Sequence, residues 1–159
     1  MLNTKVLGAV AAFVLLAGCQ STTDNAATGA GAAANASAGP RPGSQEDLVA
    51  NVGDRVFFDT DRSSVRADQR AIIERQAAWL AKFPAVTVQV EGHADERGTR
   101  EYNLALGQRR ANSARDVLVA GGTAGARIAI ISYGKDRPAA LGSSEDAWAQ
   151  NRRAVTVVR

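Results

Sequence analysis

Two hydrophobic periods alternate along this chain, and the changes from one to the other mark its elements. From Val86 to Glu91, Val86, Val88 and Val90 alternate with Thr87, Gln89 and Glu91. A period of two puts one face of a strand into a core and leaves the other wet. Val56 and Phe58 repeat it over Arg55 to Phe58. Ile128 to Tyr133 reads as a third strand, and Ala154 to Val158, rich in β-branched residues, as a fourth. Between the first two strands the spacing changes. Ile73, Ala77 and Leu80 recur at helical intervals within Ala67 to Lys82, and Phe83-Pro84 ends that helix. A second long helix is predicted from Thr99, a suitable cap, to Ala120, where Gly121-Gly122 stops it. Ser44 can cap a short helix whose first turn holds Glu46 and Asp47, and Glu145 to Gln150 predicts another. The order is strand, helix, strand, helix, strand, short helix, strand. That order predicts an α/β two-layer sandwich: a mixed four-stranded sheet, two right-handed crossovers, a return strand, and helices packed on one face. Residues 45–159 make one domain without internal repeat.

The residues before Ser44 follow other rules. Residues 1–18 read as a lipoprotein signal peptide, with a positive Lys5, an unbroken apolar and glycine run from Val6 to Leu16, then Ala17 and Gly18. The run is shorter than the roughly 20 apolar residues of a bilayer-spanning helix. Leu16-Ala17-Gly18-Cys19 resembles the bacterial lipobox, in which the cysteine becomes lipidated. Cys19 is the only cysteine, so no internal disulfide is available. Residues 19–44 are expected to be the lipidated cysteine and a disordered tether. Of the 25 residues from Gln20 to Ser44, 18 are Ala, Gly, Ser or Thr, and none is a large apolar residue; nothing there offsets the entropy of ordering. A coil of that length spans about 25–30 Å. Charge changes little in this picture. With 19 basic and 16 acidic residues, the net charge is +3. That is too even for a nucleic-acid partner, which needs a clustered basic face.

The candidate chemistry lies between Gly92 and Ala111, in the loop after the second strand and the helix that grows from it. Ligands of α/β sheets commonly sit at such carboxyl ends of strands. Asp95 is in the loop. Asn103, Leu106 and Arg110 share one helical stripe. Leu104, Gly107, Ala111, Ala114 and Leu118 form another, which reads as the core contact. Arg110 lies beside that packed face and is long enough to turn back towards the loop. An acid and an arginine at this junction can grip a zwitterion, aspartate on the ammonium and arginine as a bidentate fork on the carboxylate. A purely structural Asp95–Arg110 pair, or an Asp95 that caps its own loop, fits the same spacing. Catalysis finds no such footing. A zinc site takes about four ligands, and His93 with Asp95 has no further histidine to complete one. No serine or cysteine stands with a positioned base, and Asp59 and Asp61 read as a solvated turn. No metal, cofactor or catalytic residue is expected.

The string from Gly92 to Ala111 resembles the signature of the OmpA-like, peptidoglycan-associating domain family, at Asp95, Gly98, Asn103, Leu106 and Arg110-Ala111. Three further stretches carry the likeness: Val56-Phe57-Phe58-Asp59-Thr60-Asp61, Ser132-Tyr133-Gly134-Lys135 and Asn151-Arg152-Arg153-Ala154-Val155. With the lipobox and tether, the nearer likeness is to the family's lipid-anchored, peptidoglycan-associated branch. It covers residues 55–159 closely and the rest in layout only. The resemblance implies a binding domain, not an enzyme. It implies that the domain holds the uncrosslinked stem peptide of peptidoglycan at meso-diaminopimelate, whose side chain ends in its own ammonium and carboxylate. Asp95 and Arg110 would be the charged pair, with Asn103 and Leu106 lining the site from the helix. Phe58 and Asp59 would come from the first strand's end, and Arg97 would border the site. It further implies TolB as a partner, a part in the Tol system that draws in the outer membrane at cell division, and an anchor in the outer membrane facing the periplasm. Gln20 stands where the inner-membrane retention signal of enteric bacteria has aspartate.

Overall fold

A computed structural model describes residues 39–159. The expected signal peptide, the expected lipidation at Cys19 and the expected tether up to residue 38 lie outside the described residues. The elements run α1 (Gln45–Asn51), β1 (Arg55–Phe57), α2 (Ala67–Lys82), β2 (Val88–His93), α3 (Arg100–Ala120), β3 (Ile128–Gly134), α4 (Glu145–Asn151) and β4 (Arg153–Val158), with a 3-10 turn at Gly125–Arg127.

The strand order is β1-β4-β2-β3. β2 and β3 pair in parallel, with Val90 opposite Ile130. β4 enters antiparallel between β1 and β2, placing Val56 opposite Ala154 and Val90 opposite Thr156. The result is the expected α/β sandwich with a mixed sheet. Alternation decides which side of each strand is covered: Val56, Val88, Val90 and Ala154 face Ile73, Ala77 and Leu80 of α2 and Ala111, Ala114 and Leu118 of α3 in one buried cluster. Each large apolar side chain so buried contributes about 1.5–3 kcal/mol.

Some element ends differ from the sequence expectation. β2 begins at Val88, not Val86, because the Val86 amide is spent on the Phe83 carbonyl at 3.1 Å in the turn after α2. Arg127 closes that turn, donating to the carbonyls of Leu80, Phe83 and Val86. Phe58 lies one residue past β1, yet its amide still donates to the Arg152 carbonyl and its ring is buried. Arg41 to Ser44, the last part of the expected tether, form a turn belonging to the domain. The Ser44 amide donates to the Arg41 carbonyl, and Asp47 accepts from the Gly43 amide, Asn51 and the Trp79 indole.

The expected division of α3 into a core stripe and a site stripe does not hold. Asn103, Leu106 and Arg110 are as buried as Gly107, Ala111, Ala114 and Leu118, while Leu104 is only half-buried. Backbone proximity is the reason. Gly92 of β2 and Gly107 of α3 meet with no side chain between them: a Cβ on Gly107 would sit 2.8 Å from the Gly92 oxygen, and one on Gly92 would collide with the Gly107 carbonyl. The helix therefore sinks onto the carboxyl end of β2, and a wider arc of its surface is covered.

Candidate functional site

The loop from Ala94 to Gly98 carries Asp95, whose side chain is 10% exposed. Three donors on its carboxylate come from Arg97: the amide and Nε reach Oδ1 at 3.1 Å, and Nη2 reaches Oδ2 at 2.6 Å. Arg152 Nη1 lies 3.5 Å from Oδ2. Burial pushes the carboxyl's pKa up, but the hydrogen bonds and charge of Arg97, helped by Arg152, outweigh it and hold the group below its ordinary range. Asp95 is thus ionised at neutral pH.

Arg97 spans three elements. Its guanidinium also reaches Thr60 Oγ1 at 3.3 Å in the β1–α2 loop and lies 4.1 Å over the Trp148 ring of α4. Its carbonyl accepts from Asn103 Nδ2 at 2.8 Å, which ties the loop to α3. Thr99 caps that helix, its hydroxyl accepting from the Tyr102 amide. Lys135 ties the same loop to the end of β3 through the Glu96 and Gly98 carbonyls.

Arg110 differs most from expectation. It is 0% exposed and does not touch Asp95. Nε donates to the Arg62 carbonyl at 2.8 Å, Nη1 to that of His93 at 2.8 Å and Nη2 to that of Asp59 at 3.1 Å. Its guanidinium carbon lies 5.3 Å from the Phe58 ring centroid. Burial lowers its pKa to about 10, with the nearby Asp95 charge opposing, so it remains a cation. It clamps α3 to the end of β2 and to the β1–α2 loop. Asp59 enters through its main chain; its exposed carboxylate pairs with Arg66 at 3.3 Å. Leu106 is buried one turn from Asn103 and Arg110.

The expected residues are therefore gathered, but wired differently. One chain of contacts runs Asn103–Arg97–Asp95, another Phe58–Arg110–Asp59, and Arg152 joins them. Arg152 is buried, donates Nε to the Phe58 carbonyl at 3.2 Å and pairs with both Asp95 and Glu145. It was not among the expected site residues. Its sequence signal is the Asn151 to Val155 stretch that carries the family likeness, with the Arg152-Arg153 doublet at the entry to β4, which does not say which acid either arginine meets. Two guanidinium groups, of Arg97 and Arg152, thus contact one carboxylate, and the charge of a third, Arg110, lies near it without touching it, a set suited to a dipolar ligand. A cavity of about 270 Å³ adjoins it, lined in part by Phe57, Phe58, Gln69 and Arg152. The larger cleft, about 440 Å³, lies between α1 and α2 beside Asp47 and Trp79, away from this chemistry. Among the described residues no three His, Cys, Asp or Glu side chains are grouped to hold a metal, and no helix is long and apolar enough to cross a membrane.

His93 supports the site from behind. Its carbonyl receives Arg110, and its ring is buried with no hydrogen-bond partner on either nitrogen among the described residues. Burial first, then the charges of Arg153 and Arg137, lower its pKa from 6.5 to about 4, against an opposing pull from the Arg137 main chain. The folded domain holds it neutral, while the unfolded chain takes up a proton as pH falls below 6.5. Its share of stability is full above that pH and is lost towards pH 4, by roughly 2 kcal/mol at pH 5. The expected result is a native urea midpoint that drops from pH 7 to pH 5 more steeply than that of His93→Phe. Parallel slopes would remove His93 as the cause.

The OmpA family model matches residues 57–152. The peptidoglycan-associated lipoprotein of Rhizobium meliloti (strain 1021) is 54% identical over 158 residues, 98% of this chain and 88% of that one. Its counterpart from Haemophilus influenzae is 41% identical, covering 94% and 92%. Among solved structures, the peptidoglycan-associated lipoprotein from Burkholderia pseudomallei superposes with a TM-score of 0.67 at 40% identity, over 71% of this chain and 100% of that one. The C-terminal domain of Helicobacter pylori MotB gives 0.62 at 25%, over 67% and 84%.

Proposed function

The chain belongs to the OmpA family, grouping there with the peptidoglycan-associated lipoproteins, and on that footing we propose that it tethers the outer membrane to the cell wall by holding the diaminopimelate stem peptide. This is a binding family, not an enzyme family. Cys19 carries the lipid in the outer membrane, the tether spans the gap, and the domain, facing the periplasm, grips the polymer without cleaving it.

One observation carries the reading. Asp95, ionised and set at the carboxyl end of β2, is paired with Arg97 and Arg152 and lies within the field of the buried Arg110. It accepts the ligand ammonium. Positive potential from Arg110 and Arg152 beneath and Arg97 at the rim favours the adjoining carboxylate. Phe58, Asp59, Asn103 and Leu106 shape and brace the walls. A single ion-pair grip near solvent is modest and salt-sensitive. Many copies in one membrane facing one polymer multiply it by effective concentration. The wall bond can therefore slide and renew while the tether as a whole holds. That behaviour suits the Tol system, where TolB is the second partner, through an overlapping surface, during constriction at division.

Co-sedimentation with purified sacculi tests this. Asp95→Asn keeps the shape of the side chain and removes its charge, so the expected loss of affinity is at least about tenfold, with the circular dichroism spectrum unchanged. TolB added to the native mixture is expected to displace the domain from sacculi. A folded Asp95→Asn that sediments like native would end the assignment of the grip to this site. Indifference to TolB would take the Tol system out of the reading.

A further inference from the structure

Asp95 is already occupied. Its side chain is 10% exposed and that of Arg97 is 40% exposed, so the arginine lies in front of the acid. Two of the three Arg97 hydrogen bonds to the carboxylate come from its guanidinium. An ammonium reaching Asp95 must first displace that group.

Of the three arginines at the site, Arg97 is the one built to move. Arg110 is fixed by three carbonyls, and Arg152 by the Phe58 carbonyl and Glu145. The Arg97 backbone is held independently of its side chain, through its own amide on Asp95 and through Asn103. The guanidinium can therefore leave the carboxylate by side-chain rotation alone. Trp148 and Thr60 beside it provide stacking and one hydrogen bond; the Glu145 and Asp61 carboxylates act on it only through space, without a hydrogen bond.

We infer that Arg97 is a specificity-determining residue, a resident counter-charge that selects stem peptides whose third residue bears an ammonium and a carboxylate together over those bearing an ammonium alone. The inference rests on the reading of the Asp95 site as a peptidoglycan grip. The reason is charge exchange. A lysine-type stem replaces the guanidinium on Asp95 and leaves that guanidinium without a hydrogen-bonded carboxylate, the Glu145 and Asp61 charges acting on it only through space. A diaminopimelate stem supplies an anion beside its ammonium, and the released Arg97 takes it as a bidentate fork. Both charges are then paired again. Lysine in place of Arg97 keeps the charge but not the fork.

The test compares two disaccharide–tripeptide muropeptides, identical except for diaminopimelate or lysine as third residue, by calorimetry on the full chain purified in detergent. The native protein is expected to prefer the diaminopimelate form by at least about tenfold. In Arg97→Gln that preference should shrink to about threefold or less, with the lysine form gaining affinity, and Arg97→Lys should fall between. A native protein that binds the diaminopimelate form and an Arg97→Gln variant that discriminates equally well would overturn this inference and leave the Asp95 reading standing. Native binding of both forms alike would do the same. Native binding of neither would overturn the grip itself, and the inference with it.

Discussion

Arg110→Ala should destabilise the domain by about 3–5 kcal/mol. Three carbonyls, of Asp59, Arg62 and His93, accept from this one side chain. Leaving a buried acceptor unpaired costs about 1–3 kcal/mol each, and the vacated volume adds a cavity cost. Some of this is offset, because a buried cation with no directly bonded acid is itself expensive to hold. Domains of this size have only about 5–15 kcal/mol of stability in total, so a large part of it would go. Arg110→Met separates the two contributions: it fills much of the space and supplies no donors. Both variants should lower the urea midpoint, methionine somewhat less. Unfolding free energies within about 0.5 kcal/mol of native in both would show that the three hydrogen bonds do not brace the site. A further consequence concerns function. Loss of wall binding in Arg110→Ala would report collapse of the loops around Asp95 as readily as loss of a ligand contact, so Asp95→Asn is the cleaner probe.

Arg110 also shows where sequence reasoning stops. The strands were legible because alternation such as Val86 to Glu91 has one physical cause, a half-covered sheet. The long helices were legible because Ile73, Ala77 and Leu80 recur at their period and Thr99 and Gly121 cap the second of them. The gathering of Asp95, Asn103 and Arg110 was legible because four motifs in order fix a family. The wiring among them was not. Helical spacing says that Asn103, Leu106 and Arg110 share a stripe, but not that the helix sinks far enough to bury it. That depth is set by two glycines on different elements, and no local pattern links them. Likewise Arg97 lies two residues from Asp95 and Arg152 lies 57. Only the insertion of β4 between β1 and β2 brings the second to the same carboxylate. The start of β2 shifted for a similar reason: the Val86 amide had a nearer acceptor in the turn than in the sheet.

Gly92→Ala is the second substitution expected to have a large effect. The added methyl would collide with the carbonyl of Gly107. That obstacle is main chain within a helix, so no side-chain rotation relieves it. Either α3 lifts away from β2 or the end of β2 bends. Overpacking a tight contact costs about 1–3 kcal/mol and more where the backbone cannot give; the upper end is expected here. The functional loss should exceed the stability loss. Asn103 and Arg110 ride on α3 and reach the carbonyls of Arg97 and His93 at 2.8 Å. Hydrogen bonds weaken beyond about 3.2 Å, so lifting the helix by even an ångström releases both. The Asp95 loop would then lose the supports that hold it, while most of the core, built from α2 and the far half of α3, remains. The expected outcome is a cooperative but lowered unfolding transition together with loss of sacculus sedimentation under conditions where the variant is still folded. Gly107→Ala first meets the Ser132 hydroxyl, which can turn aside, and then the Gly92 oxygen at 2.8 Å from the opposite side, and should reproduce both effects. A Gly92→Ala domain with the native midpoint and native wall binding would mean that this backbone contact does not set the position of α3, and that the site is held by its hydrogen bonds alone.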